Sequence, residues 1–311
     1  MNKQKIICVV GPTASGKTGL GIALAKHFDG EVISADSMQI YTDMHIASAA
    51  PDSSETDGVP HHLVEFLPYG SSYTVADYVK AAREKIEDIT SRGKLPIIVG
   101  GTGLYINSLI NNVEFVEQET DILLRERITQ EFENLGGEKM LERLERIDPI
   151  AASKLHANDK RRIIRAFEIY ESTGNTKTFN DELSIKNESP YKCCMIGISY
   201  CDREKLYERI NTRVDLMIEN GLLTEARVAF EKNLGGGAVQ AIGHKEFFDY
   251  FKGVLSYDES VENLKRSTRR YAKRQLTWFN KDSRINWIYK DETTNFEDVA
   301  IKIAQKEENY A

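Results

Sequence analysis

Directly after the apolar run Lys5-Ile-Ile-Cys-Val-Val10 the chain reads Gly11-Pro-Thr-Ala-Ser-Gly-Lys17-Thr18. This is the pattern G-x-x-x-x-G-K-[ST] in the setting it needs, a buried strand entering a tight glycine turn from which a helix starts near Gly16. No other feature constrains the fold as much. Amide groups along Gly11, Pro12, Thr13, Ala14, Ser15, Gly16, Lys17 and Thr18 are expected to converge on phosphate oxygens, and the helix N-terminus favours an anion. Lys17 can bridge terminal phosphates, and the Thr18 hydroxyl is placed to hold Mg²⁺. A ligand-free glycine turn is the plain alternative. All four signature positions and both flanking elements favour a di- or triphosphate site.

Strand and helix signals continue to alternate beyond this helix. A second strand is expected over 31–35, ending in Asp36-Ser37. The stretch 42–72, broken by Pro51, Pro60, Pro68 and several glycines, reads as irregular. Apolar positions Val75, Tyr78, Val79, Ala82, Ile86 and Ile89 predict an amphipathic helix over 74–92, opened by a Ser/Thr cap and stopped by Gly93. A third strand, 95–99, runs into Gly100-Gly101-Thr102-Gly103 and a helix from about Leu104. Strands linked by helical crossovers imply an α/β fold with a parallel sheet and ligands at the carboxyl ends of its strands.

From about 114 to 187 the texture changes to charged, helix-period sequence, with helices expected over 138–146 and 160–171. A strand resumes over 191–199, followed by helices over 203–219, 222–230 and 260–279. The expected organisation is therefore a catalytic core of 1–113 and 188–311 with a helical insertion domain, 114–187. The chain shows no internal repeat and no low-complexity tail beyond a short acidic C-terminus.

Composition is that of a globular protein, with 29% charged and 41% hydrophobic residues and a net charge of −7. No apolar run reaches the roughly 20 residues a membrane helix needs, and the N-terminus has no signal-peptide zones. A cytoplasmic protein is expected. Cys8, Cys193, Cys194 and Cys201 form neither a C-x-x-C pair nor a zinc spacing, so free thiols are expected. Adjacent His61 and His62 on an extended segment face opposite ways, which argues against a metal pair. The negative total decides nothing about nucleic acids, because basic residues cluster at 160–165 and 265–274.

A nucleotide kinase or NTPase normally has an apolar strand ending in an aspartate that orients Mg²⁺. Here 95–99 ends in glycines, and the strand-tip carboxylate is Asp36. Five blocks then stand in order: Gly-Pro-Thr-Ala-Ser-Gly-Lys-Thr18, Val-Ile-Ser-Ala-Asp-Ser37-Met-Gln-Ile-Tyr41, Val-Gly-Gly-Thr-Gly-Leu-Tyr105, Ala-Ile-Gly-His-Lys-Glu246 and Thr268-Arg-Arg-Tyr-Ala-Lys-Arg-Gln-Leu-Thr-Trp-Phe279. Together, over about residues 5 to 287, they closely resemble the tRNA dimethylallyltransferase family (tRNA isopentenyltransferases).

The resemblance implies a P-loop NTPase-like parallel sheet with an inserted all-helical subdomain. It also implies transfer of a dimethylallyl group from dimethylallyl diphosphate to N6 of the adenosine at tRNA position 37, beside the anticodon, with Mg²⁺ as cofactor. Asp36 matches the family's base; capping a turn, or ordering Mg²⁺ through water, is its alternative. Arg213 matches an arginine on the diphosphate and could otherwise be a surface arginine. Thr13 and Thr102 match positions lining the reaction channel, or are turn hydroxyls. Ser37, Met38 and Gln39 match the loop that receives the extruded base. Arg125, Arg161, Arg162, Ile163, Ile164 and Arg165, with Gln240, Ala241, Ile242, Gly243, His244 and Lys245, match segments that grip the anticodon stem-loop. For the inserted helix a solvated basic face is the alternative. Arg266, Arg270 and Arg274 share a helix face and reach either RNA or neighbouring acids. A monomer with no protein or membrane partner is expected.

Two positions depart from the family pattern. Where the family usually reads Ile-Gly-Thr-Ala-Lys-Pro, this chain has Ile46-Ala-Ser-Ala-Ala-Pro51, which loses a lysine at Ala50. It has His244 in place of the usual tyrosine, which would make one RNA contact weakly pH-dependent. Two other functions stay open on the sequence: prenylation of free adenine nucleotides, which the basic insertion disfavours, and an RNA-binding protein that has lost catalysis.

Overall fold

Two continuously apolar runs, 6–10 and 96–99, are buried on both faces only in a parallel sheet covered by helices. The computed structural model, which describes residues 3–115, 121–184, 188–232, 238 and 241–309, has that architecture. Strands β1 (Gln4–Val10), β2 (Gly30–Ser34), β3 (His61–His62), β4 (Leu95–Gly100), β5 (Tyr191–Ser199) and β6 (Ile285–Tyr289) form one sheet in the order β3-β2-β4-β1-β5-β6, all parallel.

The side-chain alternation of β1 divides the core. Ile6, Cys8 and Val10 pack with α3 (Val75–Ser91) and α4 (Gly103–Ile110), whereas Ile7 and Val9 pack with α1 (Lys17–His27) and the C-terminal α14 (Phe296–Asn309). Thr74 caps α3 in a full capping box with Asp77, and Gly93, at φ 74°, follows its end. Glycines 100 and 103 are close-approach positions. A Cβ at Gly100 would strike the backbone of Ala35, and one at Gly103 would strike the Trp278 ring.

The chain divides into two compact units, Met1–Ile110 with Ser189–Ala311, and Asn111–Glu188. In the first, α2 (His45–Ser48) lies between β2 and β3. The second is helical: α5 (Ile122–Leu135), α6 (Gly137–Ile147), α7 (Pro149–Ala152), α8 (Lys160–Thr173) and α9 (Lys177–Ser184), around Ile128, Phe132, Met140, Leu144, Ile163 and Phe167. Asp148 links three of these helices, ending α6, capping α7 through Ala151 N and accepting from Thr178 N and Oγ1 at the start of α9. After β5 the first unit continues with α10 (Arg203–Glu219), α11 (Leu222–Lys232), a 3₁₀ turn at Lys245–Phe247, α12 (Phe248–Phe251) and α13 (Tyr257–Phe279).

Several elements were not in the sequence reading. Residues 42–72 contain α2 and an edge strand two residues long, too short to show a period. Ile285–Tyr289 is a sixth strand. The acidic C-terminus is a helix whose Ala300 and Ala304 are buried against the sheet, small residues giving little apolar signal. All four cysteines are free, and His61 and His62 bond to different partners, the Val59 carbonyl and Glu31.

Candidate active site

The turn after β1 has the strained backbone that the glycines and Ala14 accommodate. Gly11 has φ 147°, Ala14 63° and Gly16 93°. A Cβ at Gly11 would collide with the Ile198 carbonyl of β5, so glycine is required there. Gly16 caps α1 with no side-chain acceptor, and the Ser15 Oγ is buried without a partner among the described residues. Lys17 leads α1 and folds back, its Nζ donating to the Pro12 carbonyl at 2.7 Å. Burial, then the repulsion of Arg213, depresses the Lys17 ammonium to about 7, against the opposing pull of Asp36.

These groups border a cleft of about 1210 Å³ at the carboxyl ends of the strands. Thr13, Lys17 and Thr18 line it from the loop, Asp36 to Gln39 from the end of β2, and Arg213 from α10. Arg213 is thus a cleft residue. Its guanidinium is held below the ordinary arginine range by burial, with Asp36 and Glu55 pulling the other way. Asp36 Oδ1 accepts from Met38 N at 2.9 Å, the turn-capping role, while Oδ2 makes no hydrogen bond among the described residues. One oxygen fixes the loop and the other is left unbonded.

Thr102 is a brace: its Oγ1 accepts from Ser37 N at 3.0 Å, tying the β4 turn to the β2 turn. Gln39 accepts from Ser34 Oγ at 2.7 Å and donates to the Ala49 carbonyl at 3.1 Å. Lining the same cleft are Ala241, Ile242, Gly243 and Lys245. Gln240 lies outside the described residues.

Several residues were not anticipated. Gln275 on α13 accepts from Thr13 N at 2.8 Å and donates to the Gly101 carbonyl at 3.0 Å, bridging the phosphate loop to the β4 turn. Tyr271, one turn earlier, lies beside Thr102 and Gln275. Burial, then the negative charge of Asp36, pushes its phenol up. Arg274 leans over the Tyr271 ring at 5.6 Å and lines the cleft. The i, i+4 spacing of Tyr271 and Gln275 was the available signal, hidden among the arginines of that helix. On another side of the loop, Arg209 donates to the Ala14 carbonyl at 3.3 Å.

Three sequence assignments need correcting. His244 offers no surface to a partner; it is fully buried and bonds to Glu225 at 2.8 Å. Ile163 and Ile164 are buried in the core of the helical unit, because a two-residue apolar step on α8 must point inward when Arg161 and Arg162 point out. Within that unit Arg125 and Arg165 both pair with the buried Glu168, and Arg125 is raised by that bond. Arg161 and Arg162 are exposed, with no ion-pair partner among the described residues. On α13, Lys265 pairs with Asp215 at 2.7 Å and Arg266 bonds to Asn263 at 2.8 Å.

No group of three His, Cys, Asp or Glu able to hold a metal exists among the described residues. The donors present are the Thr18 hydroxyl, which has no hydrogen bond among those residues, and whatever phosphate oxygens the loop holds. That set fits Mg²⁺, which takes few protein ligands and completes its shell with phosphate and water.

A glycine turn between a parallel strand and a helix, opening on a cleft at the strand tips, defines a P-loop NTPase-like α/β protein. The described β4 tip carries no carboxylate, which separates it from the nucleotide-hydrolysing members of that class. The chain belongs to the IPP transferase family: that family model matches residues 39–282, and an isopentenyl transferase model matches residues 4–65. A protein of Bacillus subtilis (strain 168) named tRNA dimethylallyltransferase is 46% identical over 288 residues, covering 92% of this chain and 91% of its own. One of Acetivibrio thermocellus with the same name is 47% identical over 291 residues, 93% of each. Among solved structures, the full-length tRNA isopentenylpyrophosphate transferase of Bacillus halodurans superposes with a TM-score of 0.72 at 38% identity, covering 99% of both chains. A eukaryotic dimethylallyltransferase acting on tRNA gives 0.80 at 30% identity, covering 96% of this chain and 78% of that one.

Proposed function

We propose that this enzyme transfers a dimethylallyl group from dimethylallyl diphosphate to N6 of the adenosine at tRNA position 37, 3′ of the anticodon, releasing diphosphate. The observation that carries the reading is the cleft itself, which Lys17, Thr18, Arg213 and Asp36 line together, with Asp36 acting on the charge of both cations. The cations suit a departing diphosphate, and a carboxylate with one oxygen unbonded among the described residues suits the proton that the amine must lose.

In the reaction, N6 attacks the C1 carbon of the dimethylallyl group as the C1–O bond to diphosphate breaks. The N6 proton passes to Asp36 Oδ2 as the C–N bond forms. Lys17 leaves the Pro12 carbonyl for the diphosphate, joined by the Arg213 fork, and together they offset the charge that develops on the leaving group. Mg²⁺ held at Thr18 would add further screening of that charge. Thr102 keeps Ser37 and hence Asp36 in register, and Gln275 holds Thr13 against the same frame.

The base must leave its stack to reach Asp36, and Ser37, Met38 and Gln39 form the loop that would receive it. Arg161 and Arg162 on α8 are suited to phosphates of the anticodon arm, a contact that carries position more than sequence. The protein is proposed to act as a monomer in the cytoplasm; among the described residues no helix is long and apolar enough to cross a membrane. Mass analysis of tRNA nucleosides from cells with and without the gene tests the reading. Loss of N6-(dimethylallyl)adenosine is expected, and an unchanged nucleoside profile overturns it.

A further inference from the structure

The segment 45–50 walls the cleft with little structure of its own. α2 is four residues long, and Ala49 ends it in the left-handed region at φ 46°. Its first amides are held by a side chain from α11. Glu225 Oε2 accepts from Ile46 N at 2.8 Å, and Oε1 accepts from Ala47 N at 3.0 Å. The same Oε1 takes a third hydrogen bond, at 2.8 Å, from Nε2 of the fully buried His244. Burial raises the Glu225 carboxyl, but the bonds from His244, Ile46 and Ala47 outweigh it and leave the group below the ordinary carboxylate range. An ionised carboxylate only accepts, so His244 carries hydrogen on Nε2. Its Nδ1 has no partner among the described residues.

Two further contacts join this hook to the cleft. Gly243, at φ 116°, presses its backbone on α2 so closely that a Cβ there would sit 3.0 Å from the Ala47 Cβ. At the other end of α2, Gln39 donates to the Ala49 carbonyl. The wall formed by residues 45–50 and 241–243 is therefore held at one end by the His244–Glu225 pair and at the other by the loop that follows Asp36.

We propose that His244 is a positioning residue that, through Glu225, fixes α2 and the Gly243 turn as one wall of the cleft and thereby sets the fit of the nucleic-acid acceptor without touching it. This rests on the reading of the cleft as a prenyl-transfer site. The diphosphate end is carried by other elements, the phosphate loop, α1 and α10, so a disturbed wall acts on one substrate and spares the other.

The test compares His244→Phe with His244→Tyr, which share added ring volume and differ by one hydroxyl able to donate to Glu225. Steady-state kinetics use an anticodon stem-loop RNA and dimethylallyl diphosphate. His244→Tyr should keep the KM for RNA within about twofold of wild type. His244→Phe should raise it about tenfold, as expected for losing one hydrogen bond to a charged carboxylate, with the KM for dimethylallyl diphosphate unchanged. Should the larger rings prevent folding, His244→Gln and His244→Met, of similar length, repeat the contrast between donor and no donor. Equal KM values within a pair, or a parallel rise for both substrates, overturn the positioning role. A wild-type enzyme inactive on the RNA overturns instead the functional reading on which the proposal rests.

Discussion

Lys17 links the phosphate site to pH in a way that can be measured. In the free protein its ammonium is depressed to about 7 by burial and by Arg213, and it rests on the Pro12 carbonyl. A diphosphate delivers the negative charge that burial and Arg213 withhold, so the ammonium should return towards an ordinary lysine value of about 10.4 once ligand binds. Above pH 7.5 the diphosphate has lost its own last proton, and binding must then draw one proton from solution onto Lys17. The dissociation constant of dimethylallyl diphosphate should rise about twentyfold between roughly pH 7.5 and pH 9, with an uptake of about 0.9 proton near pH 8. Titration calorimetry in buffers of different ionisation enthalpy reads both quantities. Lys17→Arg, always charged, should flatten the slope. For the free protein the sign in stability is fixed too. The depressed group costs most below about pH 7, and stability rises from there to about 10.4 as the native state sheds a proton that the unfolded chain retains. A dissociation constant flat to pH 9 without proton uptake would falsify the assignment of Lys17 as a buried, electrostatically depressed ligand.

Asp36→Asn keeps the oxygen that caps Met38 but cannot take a proton; single-turnover rates should fall about 10²- to 10⁴-fold with RNA affinity retained. Weakened RNA binding at an unchanged rate would show the carboxylate to be a gripping group only. Arg161→Ala and Arg162→Ala should each weaken RNA binding and lower the slope of log affinity against log salt by about one, as single phosphate contacts do. Unaltered salt dependence in filter binding would return α8 to a solvated face. Gly101→Ala drives a Cβ into Gln275 Nε2 and breaks the bridge to Thr13, destabilising the fold by about 1–3 kcal/mol. Adding Gln275→Ala should remove part of that loss in a thermal melt, a non-additivity that independent sites would not show.

Where a residue's role follows from its immediate neighbours in sequence, it was legible. The phosphate loop, the strands at 4–10, 95–100 and 191–199 and the Thr74 cap all follow from local rules, and the structure places each within a residue or two of expectation. Roles set by distant packing were not legible. The bridge from Gln275 to Thr13 spans 262 positions, and nothing near either residue encodes the other. Sequence order misled at His244, where a segment lining the cleft carries one ring turned inward to Glu225. The same holds for Ile163 and Ile164, which share a helix with exposed arginines yet belong to the core. Edge strands β3 and β6 pair on one side only, and neither shows the continuous apolar run that marks β1 and β4.

The glycines of the β4 turn, which read as loop punctuation, bear directly on the chemistry. A Cβ at Gly100 would meet the backbone of Ala35, so β2 and β4 close on each other at the point where a nucleotide-hydrolysing protein needs a carboxylate at the β4 tip. With that position closed, the negative group moves to the next available strand end, Asp36, and Thr102 reaches across to Ser37 to hold it. Asp36 there shares one cleft with Lys17 and Arg213 and pulls on the charge of both, with no hydrogen bond among the described residues to the loop hydroxyl that would hold the metal. A carboxylate placed among those cations suits a reaction in which a bond to diphosphate breaks and a proton is lost within the same cleft. The described β4 tip offers no carboxylate to order a metal-bound water for attack on phosphorus. Hydrolysis of nucleoside triphosphate by the purified protein should accordingly stay at background, and restoring it should take more than Gly100→Asp, because the new side chain has no space unless Ala35 moves.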